Sequence, residues 1–127
     1  MWAQGERIKL SGQTISQVSP PILDREHLSR YTMDCEELER EIVGLFLTQL
    51  PSIVDLLKVA ADEAEWRMAT HTLKGSALAM GAARIAEIAK QLEATTLPTA
   101  VQSKLVLISV LDREIGLFRR EVAGIYP

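Results

Sequence analysis

The chain has 127 residues, of which 47% are hydrophobic and 24% are charged, a balance typical of one soluble domain with its own core. The net charge is -3 and no run of Lys or Arg is present, so nucleic acid and membranes are not expected as partners. Cys35 is the single cysteine, which excludes an internal disulfide and fits a reducing compartment.

The first residues lack a signal-peptide pattern. The longest apolar run, within residues 105–111, is far shorter than the roughly 20 residues of a membrane-spanning helix. We therefore expect a cytoplasmic protein, and we expect it to be a monomer.

Residues 1–21 contain two glycines, scattered polar residues and the pair Pro20 and Pro21. This composition is typical of a flexible tail or linker, and no strand is predicted in it. Residues 22–127 are expected to form the folded domain.

Two helices are predicted next. Asp24 can cap a short helix, on which His27 is expected at the surface. A long helix should begin at Asp34, with Glu37 as its capping-box partner, and Pro51 should kink it. Its apolar residues keep a helical rhythm: Leu38, Ile42, Leu45, Phe46, Leu50, Ile53, Leu57 and Ala60.

A third helix should open at the capping-box pair Asp62 and Glu65 and end at Gly81. One side of this helix is apolar and should be buried: Trp66, Ala69, Leu73, Ala77 and Met80. The opposite side should face solvent and carries Arg67, His71, Lys74, Gly75 and Leu78.

Two more helices complete the pattern. The first, from about Ala82 to just before Thr95, should bury Ile85, Ile88, Ala89 and Leu92. The second, from Thr99 to about Gly124, should turn these residues inward: Val101, Leu105, Ile108, Ile115, Phe118 and Val122. Four long amphipathic helices with short connections predict an all-α, antiparallel, up-and-down four-helix bundle with a short additional N-terminal helix.

The solvent side of the third helix combines residues suited to phosphoryl chemistry. A neutral imidazole such as that of His71 has a nucleophilic nitrogen, and a reference pKa of about 6.5 leaves much of it neutral near pH 7. Lys74, one turn later, can stabilise the charge of an incoming phosphate. Gly75 removes a side chain that would block a partner's backbone, which offsets a helix-interior cost of roughly 1 kcal/mol relative to alanine.

At these positions the sequence resembles the histidine phosphotransfer (HPt) domains of bacterial phosphorelays. Their signature reads His-x-x-Lys-Gly-Ser/Ala with a Gly near the helix end, and His71, Lys74, Gly75, Ser76 and Gly81 match it in order. The resemblance implies a helical carrier that takes a phosphoryl group from one aspartate and passes it to another, without kinase activity. It also implies response-regulator receiver domains and a hybrid histidine kinase as partners, with Mg²⁺ bound by the receiver.

Glu93 is a further candidate. Two antiparallel helices that turn near Gly81 place Glu93 level with His71, and in the resembling family a Gln or Glu at this offset can hydrogen-bond the histidine ring. Such a bond would leave Nε2 free to attack. By helical phase, a partner-docking surface around His71 is expected to include Arg67, Gly75, Leu78, Ala82 and Ala86.

Other chemistry finds no support in the sequence. His27, Cys35 and His71 lack metal-ligand spacing, and no Gly-rich phosphate loop or Ser-His-Asp order is present, so no metal or cofactor is expected on this chain. The alternative function is a non-catalytic all-helical interaction module in which His71 is an idle surface residue. Binding of a phosphorylated receiver without transfer of label would favour that module.

Overall fold

The computed structural model describes residues 7–10, 13–16, 20–97 and 101–127. They include five α-helices: α1 (Arg25–Thr32), α2 (Glu36–Val59), α3 (Glu63–Met80), α4 (Ala83–Ala94) and α5 (Val101–Ile125). α3 packs against α4 and α2, α5 packs against α2 and α4, and α1 packs against α2. Their inward side chains form an apolar core, so the described residues from Pro20 onward form a helical bundle, which is the predicted fold class. The predicted domain boundary at residue 22 stays a prediction.

The expectation that residues 1–21 contain no strand is wrong, because two short strands pair there. The flexible tail or linker itself stays a prediction. β1 (Arg7–Leu10) pairs with β2 (Gln13–Ser16), with Arg7 opposite Ser16. The sequence signal was the alternation of polar and apolar residues over Arg7–Leu10, followed by the turn-forming pair Ser-Gly.

The link between α1 and α2 differs from the prediction. Asp24 caps α1, since its carboxylate accepts a hydrogen bond from the His27 backbone N–H at 3.1 Å. Asp34, however, is not the cap of α2, because it has φ 62° and its N–H bonds to the Ser29 carbonyl oxygen at 2.8 Å. Cys35 is the N-cap residue and makes no side-chain capping bond, so the predicted capping box with Glu37 is wrong.

α2 continues through Pro51 without interruption, and the kink there stays a prediction. By length and composition, α2 is also apolar enough to cross a membrane, the one such helix in the part of the chain that the structure describes. One third of the most apolar stretch of α2 is buried in the bundle, so part of this apolar sequence contributes to the core.

A buried carboxylate joins α1, α2 and the end of α5. Glu39 of α2 is 3% exposed and accepts hydrogen bonds from Tyr126 (2.8 Å), Ser29 (3.1 Å), Arg25 (3.2 Å) and Thr32 (3.3 Å). Burial alone would raise the pKa of Glu39, but the hydrogen bonds from Tyr126 and Arg25 outweigh burial and hold the pKa below its ordinary value. The ionised form of Glu39 therefore stabilises this end of the bundle.

α3 and α4 form a helical hairpin around Gly81, which ends α3 as predicted. Gly81 has φ 84°, and its N–H donates to the Ala77 carbonyl at 3.0 Å, a conformation that glycine adopts without cost. A Cβ built there would lie 2.9 Å from the Asp24 carbonyl oxygen. His27 also packs here, with Nε2 3.1 Å from the Ala79 carbonyl oxygen. Its side chain is half-buried, whereas the sequence predicted it at the surface.

The inward side of α5 is rotated slightly from the prediction. Ile108, Ile115, Phe118 and Val122 are buried as expected, but Leu105 is 54% exposed. Lys104 takes the inward position instead, and its Nζ donates to the carbonyls of Lys58 and Ala60 at the end of α2. The predicted start of this helix at Thr99 lies outside the described residues, as does the side chain of Val101.

The Glu39 network gives a prediction for stability. Glu39→Gln should lower the free energy of unfolding at pH 7 by about 1–3 kcal/mol, because the charged acceptor of several buried hydrogen bonds is lost. The folded pKa of Glu39 lies below its unfolded value, so this stabilisation is present above the unfolded pKa and is lost as the pH falls through the folded pKa. The stabilities of the two proteins should therefore approach each other as the pH falls through the folded pKa of Glu39.

Urea unfolding followed by circular dichroism at pH 7 and pH 3 measures this difference. Glu41→Gln is the matched control, because Glu41 is exposed on the same helix. An equal loss of stability for Glu39→Gln at both pH values would contradict a role for the ionised carboxylate.

Candidate functional site

His71 lies in the middle of α3 with its ring directed outward. Its side chain is 70% exposed, because the buried stripe of α3 lies on the opposite side of the helix: Trp66, Ala69, Leu73, Ala77 and Met80. The helical periodicity thus buries the side of α3 that was expected to be buried and leaves the imidazole accessible to a partner.

Glu93 reaches the same ring from α4. Its Oε2 lies 3.0 Å from Nδ1 of His71, so the hairpin brings these two residues together at the offset expected from the sequence. A carboxylate can only accept a hydrogen bond, and this partner therefore assigns the proton to Nδ1. The lone pair of Nε2 is then free and points away from Glu93.

Lys74 binds the other oxygen of the same carboxylate. Its Nζ lies 2.5 Å from Oε1 of Glu93, and both side chains are about one quarter exposed. Glu93 consequently bridges the ring and the ammonium group. The hydrogen bond from Lys74 and then that from His71 lower the pKa of Glu93 below its ordinary value, which keeps the carboxylate ionised near neutral pH. Lys74 was expected beside an incoming phosphate, and its ammonium is paired with Glu93 in this structure.

An open pocket of about 410 Å³ lies beside the ring. It is lined by Ala64, Arg67, Met68, His71, Thr72 and Glu93. The predicted residue Arg67 is therefore at the site, one helical turn before His71. Within the described residues, no group of three or more His, Cys, Asp or Glu side chains comes together to hold a metal ion.

The predicted docking surface is only partly exposed. Gly75 lies at the surface, and a Cβ at this position would have no atom within 4 Å apart from its chain neighbours and the backbone of its own helix. Leu78 is 48% exposed. Ala82 and Ala86 are 0% and 3% exposed, so their assignment to this surface is wrong. Ala86 belongs to the inward side of α4, and Ala82 is the residue just before this helix. Their small side chains let the two helices of the hairpin pack closely.

Sequence reasoning missed an apolar groove beside this site. Leu56, Val59 and Met68 are 54%, 71% and 72% exposed, and with Ala60, Glu65 and Ala69 they line a groove of about 180 Å³ between α2 and α3. Met68 also lines the pocket beside His71, so the groove and the pocket are neighbours on the surface of α3. The available signal was the presence of large apolar residues off the core stripe of each helix.

Comparison with known protein families agrees with this geometry. A family model for the Hpt domain matches residues 41–121, a range that includes His71, Lys74, Gly75 and Glu93. Searches of curated proteins and of solved structures found no match. Because the family match covers more than half of the chain, the protein belongs to the Hpt domain family.

Proposed function

We propose that this protein is a phosphoryl carrier that accepts phosphate on Nε2 of His71 from the aspartate of one receiver domain and passes it to the aspartate of another. Membership of the Hpt family implies histidine phosphotransfer in a phosphorelay. The observation that carries the assignment to His71 is its exposed ring with Nδ1 bound to Glu93, since this arrangement makes Nε2 a nucleophile facing solvent.

The transfer is a displacement at phosphorus. The Nε2 lone pair of His71 attacks the phosphoryl group of the phospho-aspartate in line, and the bond from phosphorus to the aspartate oxygen breaks with its electron pair on that oxygen. We expect Mg²⁺ on the receiver to neutralise the phosphoryl oxygens there. Lys74 lies one helical turn after His71 on the carrier, and a shift of its ammonium from Glu93 toward the phosphoryl group would add charge stabilisation.

The receiver is proposed to dock over α3 and the second half of α2. The groove of Leu56, Val59 and Met68 is exposed apolar surface that a docked partner would bury. Gly75 leaves room for the partner's backbone. Such a combination of an apolar patch and a flat surface is typical of a protein interface. A receiver of a hybrid histidine kinase is the proposed phosphoryl donor.

We also propose the up-and-down order for the four long helices. Lys104 near the start of α5 contacts the end of α2, whereas Arg40 near the start of α2 donates to the carbonyl of Pro127 beyond the end of α5 at 3.0 Å. These contacts support opposite directions for α2 and α5, as the turn at Gly81 does for α3 and α4. A cytoplasmic location and a monomeric state stay predictions from the sequence.

Replacement of the acceptor tests the proposed function directly. His71→Gln should abolish labelling by phosphorylated receiver domains, while the melting temperature stays nearly unchanged because the side chain is exposed. The assay mixes purified protein with a panel of receiver domains phosphorylated by acetyl phosphate and follows acid-labile phosphate. His27→Gln is the matched control and should retain labelling. Receiver binding by the wild type without any label would instead support the interaction module.

Lys74 and Gly75 should produce separable defects. Lys74→Ala should slow transfer but preserve receiver affinity, because it removes charge near the phosphoryl group and little contact area. Gly75→Gln should weaken docking by steric exclusion, and it can stabilise α3 by up to about 1 kcal/mol. Calorimetric titration gives affinity and single-turnover transfer gives rate. The same loss of affinity in both variants would contradict this division of roles.

The apolar groove gives a prediction for docking. Met68→Ala should weaken receiver binding by about 5- to 30-fold, which corresponds to the roughly 1–2 kcal/mol of a buried apolar side chain. Leu105→Ala is the control, because Leu105 of α5 is also exposed and does not line the groove. Equal effects of the two substitutions on receiver affinity would argue against docking at this groove.

A further inference from the structure

A groove between α2 and α5, which we call the α2–α5 groove, is separate from the pocket beside His71. It has a volume of about 370 Å³, whereas the described residues that line the pocket beside His71 come from α3 and α4. Its floor is apolar: Val43 and Val122 are 3% and 5% exposed, and Leu47 packs against the core. Small-molecule sites have volumes of roughly 300–1,000 Å³, so the α2–α5 groove is large enough for a small ligand with an apolar part.

Two arginines border this apolar floor. Arg40 comes from the start of α2 and Arg119 from the second half of α5, and none of the described residues that line the groove is acidic. Arg40 is held at the groove, because it donates to the Pro127 carbonyl oxygen at 3.0 Å and its guanidinium lies 5.8 Å from the centroid of the Tyr126 ring. Arg40 also pairs with Glu36 at 3.6 Å, but both side chains are exposed and a guanidinium has further N–H donors.

The charge of the groove is opposite to that of the whole protein. The chain has a net charge of -3, yet the charged side chains among the described lining residues are both cationic. A cleft that carries one sign of charge beside apolar walls attracts ligands of the opposite sign. The groove is therefore suited to an anion that also has an apolar part.

Gly44 keeps the groove open on the α2 side. It lies inside a helix, where glycine is less favourable than alanine. A Cβ at this position would have no atom within 4 Å apart from its chain neighbours and the backbone of its own helix, so close packing within the bundle does not require a glycine here. The missing side chain leaves space that the groove occupies, and the facing residue Ala123 of α5 is small as well.

We propose that the α2–α5 groove binds a small carboxylate with an apolar body, the chemistry of a medium-chain fatty acid. The apolar body covers Val43, Leu47 and Val122 and is removed from water there. The carboxylate accepts hydrogen bonds from Arg119 and Arg40, because a planar guanidinium matches a carboxylate in charge and in shape.

The sign of the ligand's charge distinguishes this groove from the apolar groove between α2 and α3. The described lining of that second groove includes Glu65 and neither Lys nor Arg, so it offers a carboxylate an apolar wall without a cation. The inference is also independent of the proposed function, because none of the residues invoked lines the pocket beside His71. His71→Gln should accordingly bind the ligand as the wild type does.

The experiment follows the backbone amide resonances of ¹⁵N-labelled protein during titration with decanoate below its micelle concentration. Decanoate should shift the resonances of Gly44 and Ala123 until they saturate. Decyltrimethylammonium has the same chain with a cationic head, and it should bind this groove at least about tenfold more weakly because its charge faces two guanidinium groups. Equal affinities for the two amphiphiles at these resonances, or decanoate shifts confined to the groove between α2 and α3, overturn the proposal.

The role of the arginines is tested by one substitution and a matched control. Arg119→Gln should weaken decanoate binding by at least about threefold, because a charged donor to the carboxylate is lost. Arg120→Gln should bind decanoate like the wild type, since Arg120 is the exposed neighbour on α5 and does not line the groove. An unchanged affinity in Arg119→Gln, or the same loss in both variants, overturns recognition of the carboxylate.

The place of binding is tested at Gly44. Gly44→Leu should abolish the decanoate shift at Ala123, because the new side chain occupies the groove. Gly116→Leu is the matched control, since Gly116 is a helix-interior glycine with the same open surroundings and does not line the groove. Both variants should fold, because leucine favours a helix more than glycine does. Retained binding in Gly44→Leu, or equal losses in the two leucine variants, overturns the assignment to the α2–α5 groove.

Discussion

The left-handed turn at Gly81 is the constraint on which the site depends. It ends α3 and reverses the chain within a few residues, and the Asp24 carbonyl oxygen approaches so closely that a side chain would not fit. The position of this turn sets which residues of α3 and α4 face each other. Had α3 ended one residue later, α4 would be displaced along and around it, and Glu93 would lose its place beside Nδ1 of His71.

The open end of the hairpin is fixed by a different contact. The indole N–H of Trp66 lies 3.2 Å from the Leu92 carbonyl oxygen and 2.9 Å from that of Thr95, and Trp66 itself is 1% exposed. The bridge from His71 through Glu93 to Lys74 therefore lies between two fixed points. An exposed ion pair is worth little by itself, so the rigidity of the site comes from the hairpin that supports it. Rigid placement is what a transfer between two docked groups requires.

The sequence was informative where a local pattern decides the structure. Helical periodicity predicted which side of α3 is buried, and glycine chemistry predicted the end of that helix at Gly81. The sequence-based predictions were wrong where contacts between residues distant in the chain determine the structure. Lys104 replaces Leu105 in the inward row because the carbonyls at the end of α2 accept its ammonium, and Asp34 is used in a turn because α1 ends just before it. The exposed groove at Met68 depends on how α2 and α3 pack, which no single helix pattern reveals.

On the proposed function, the same surface has to serve a donor and an acceptor receiver. The charge of Lys74 is compensated by Glu93, and the adjoining groove of Leu56, Val59 and Met68 offers apolar contacts, which have little directional preference. Such a surface discriminates weakly between related partners, because strong discrimination needs charges or polar groups that a wrong partner leaves unpaired. The carrier also uses one nitrogen for both transfers. The direction of phosphate flow is then set by the relative free energies of the two phospho-aspartates, and this chain supplies a path between them.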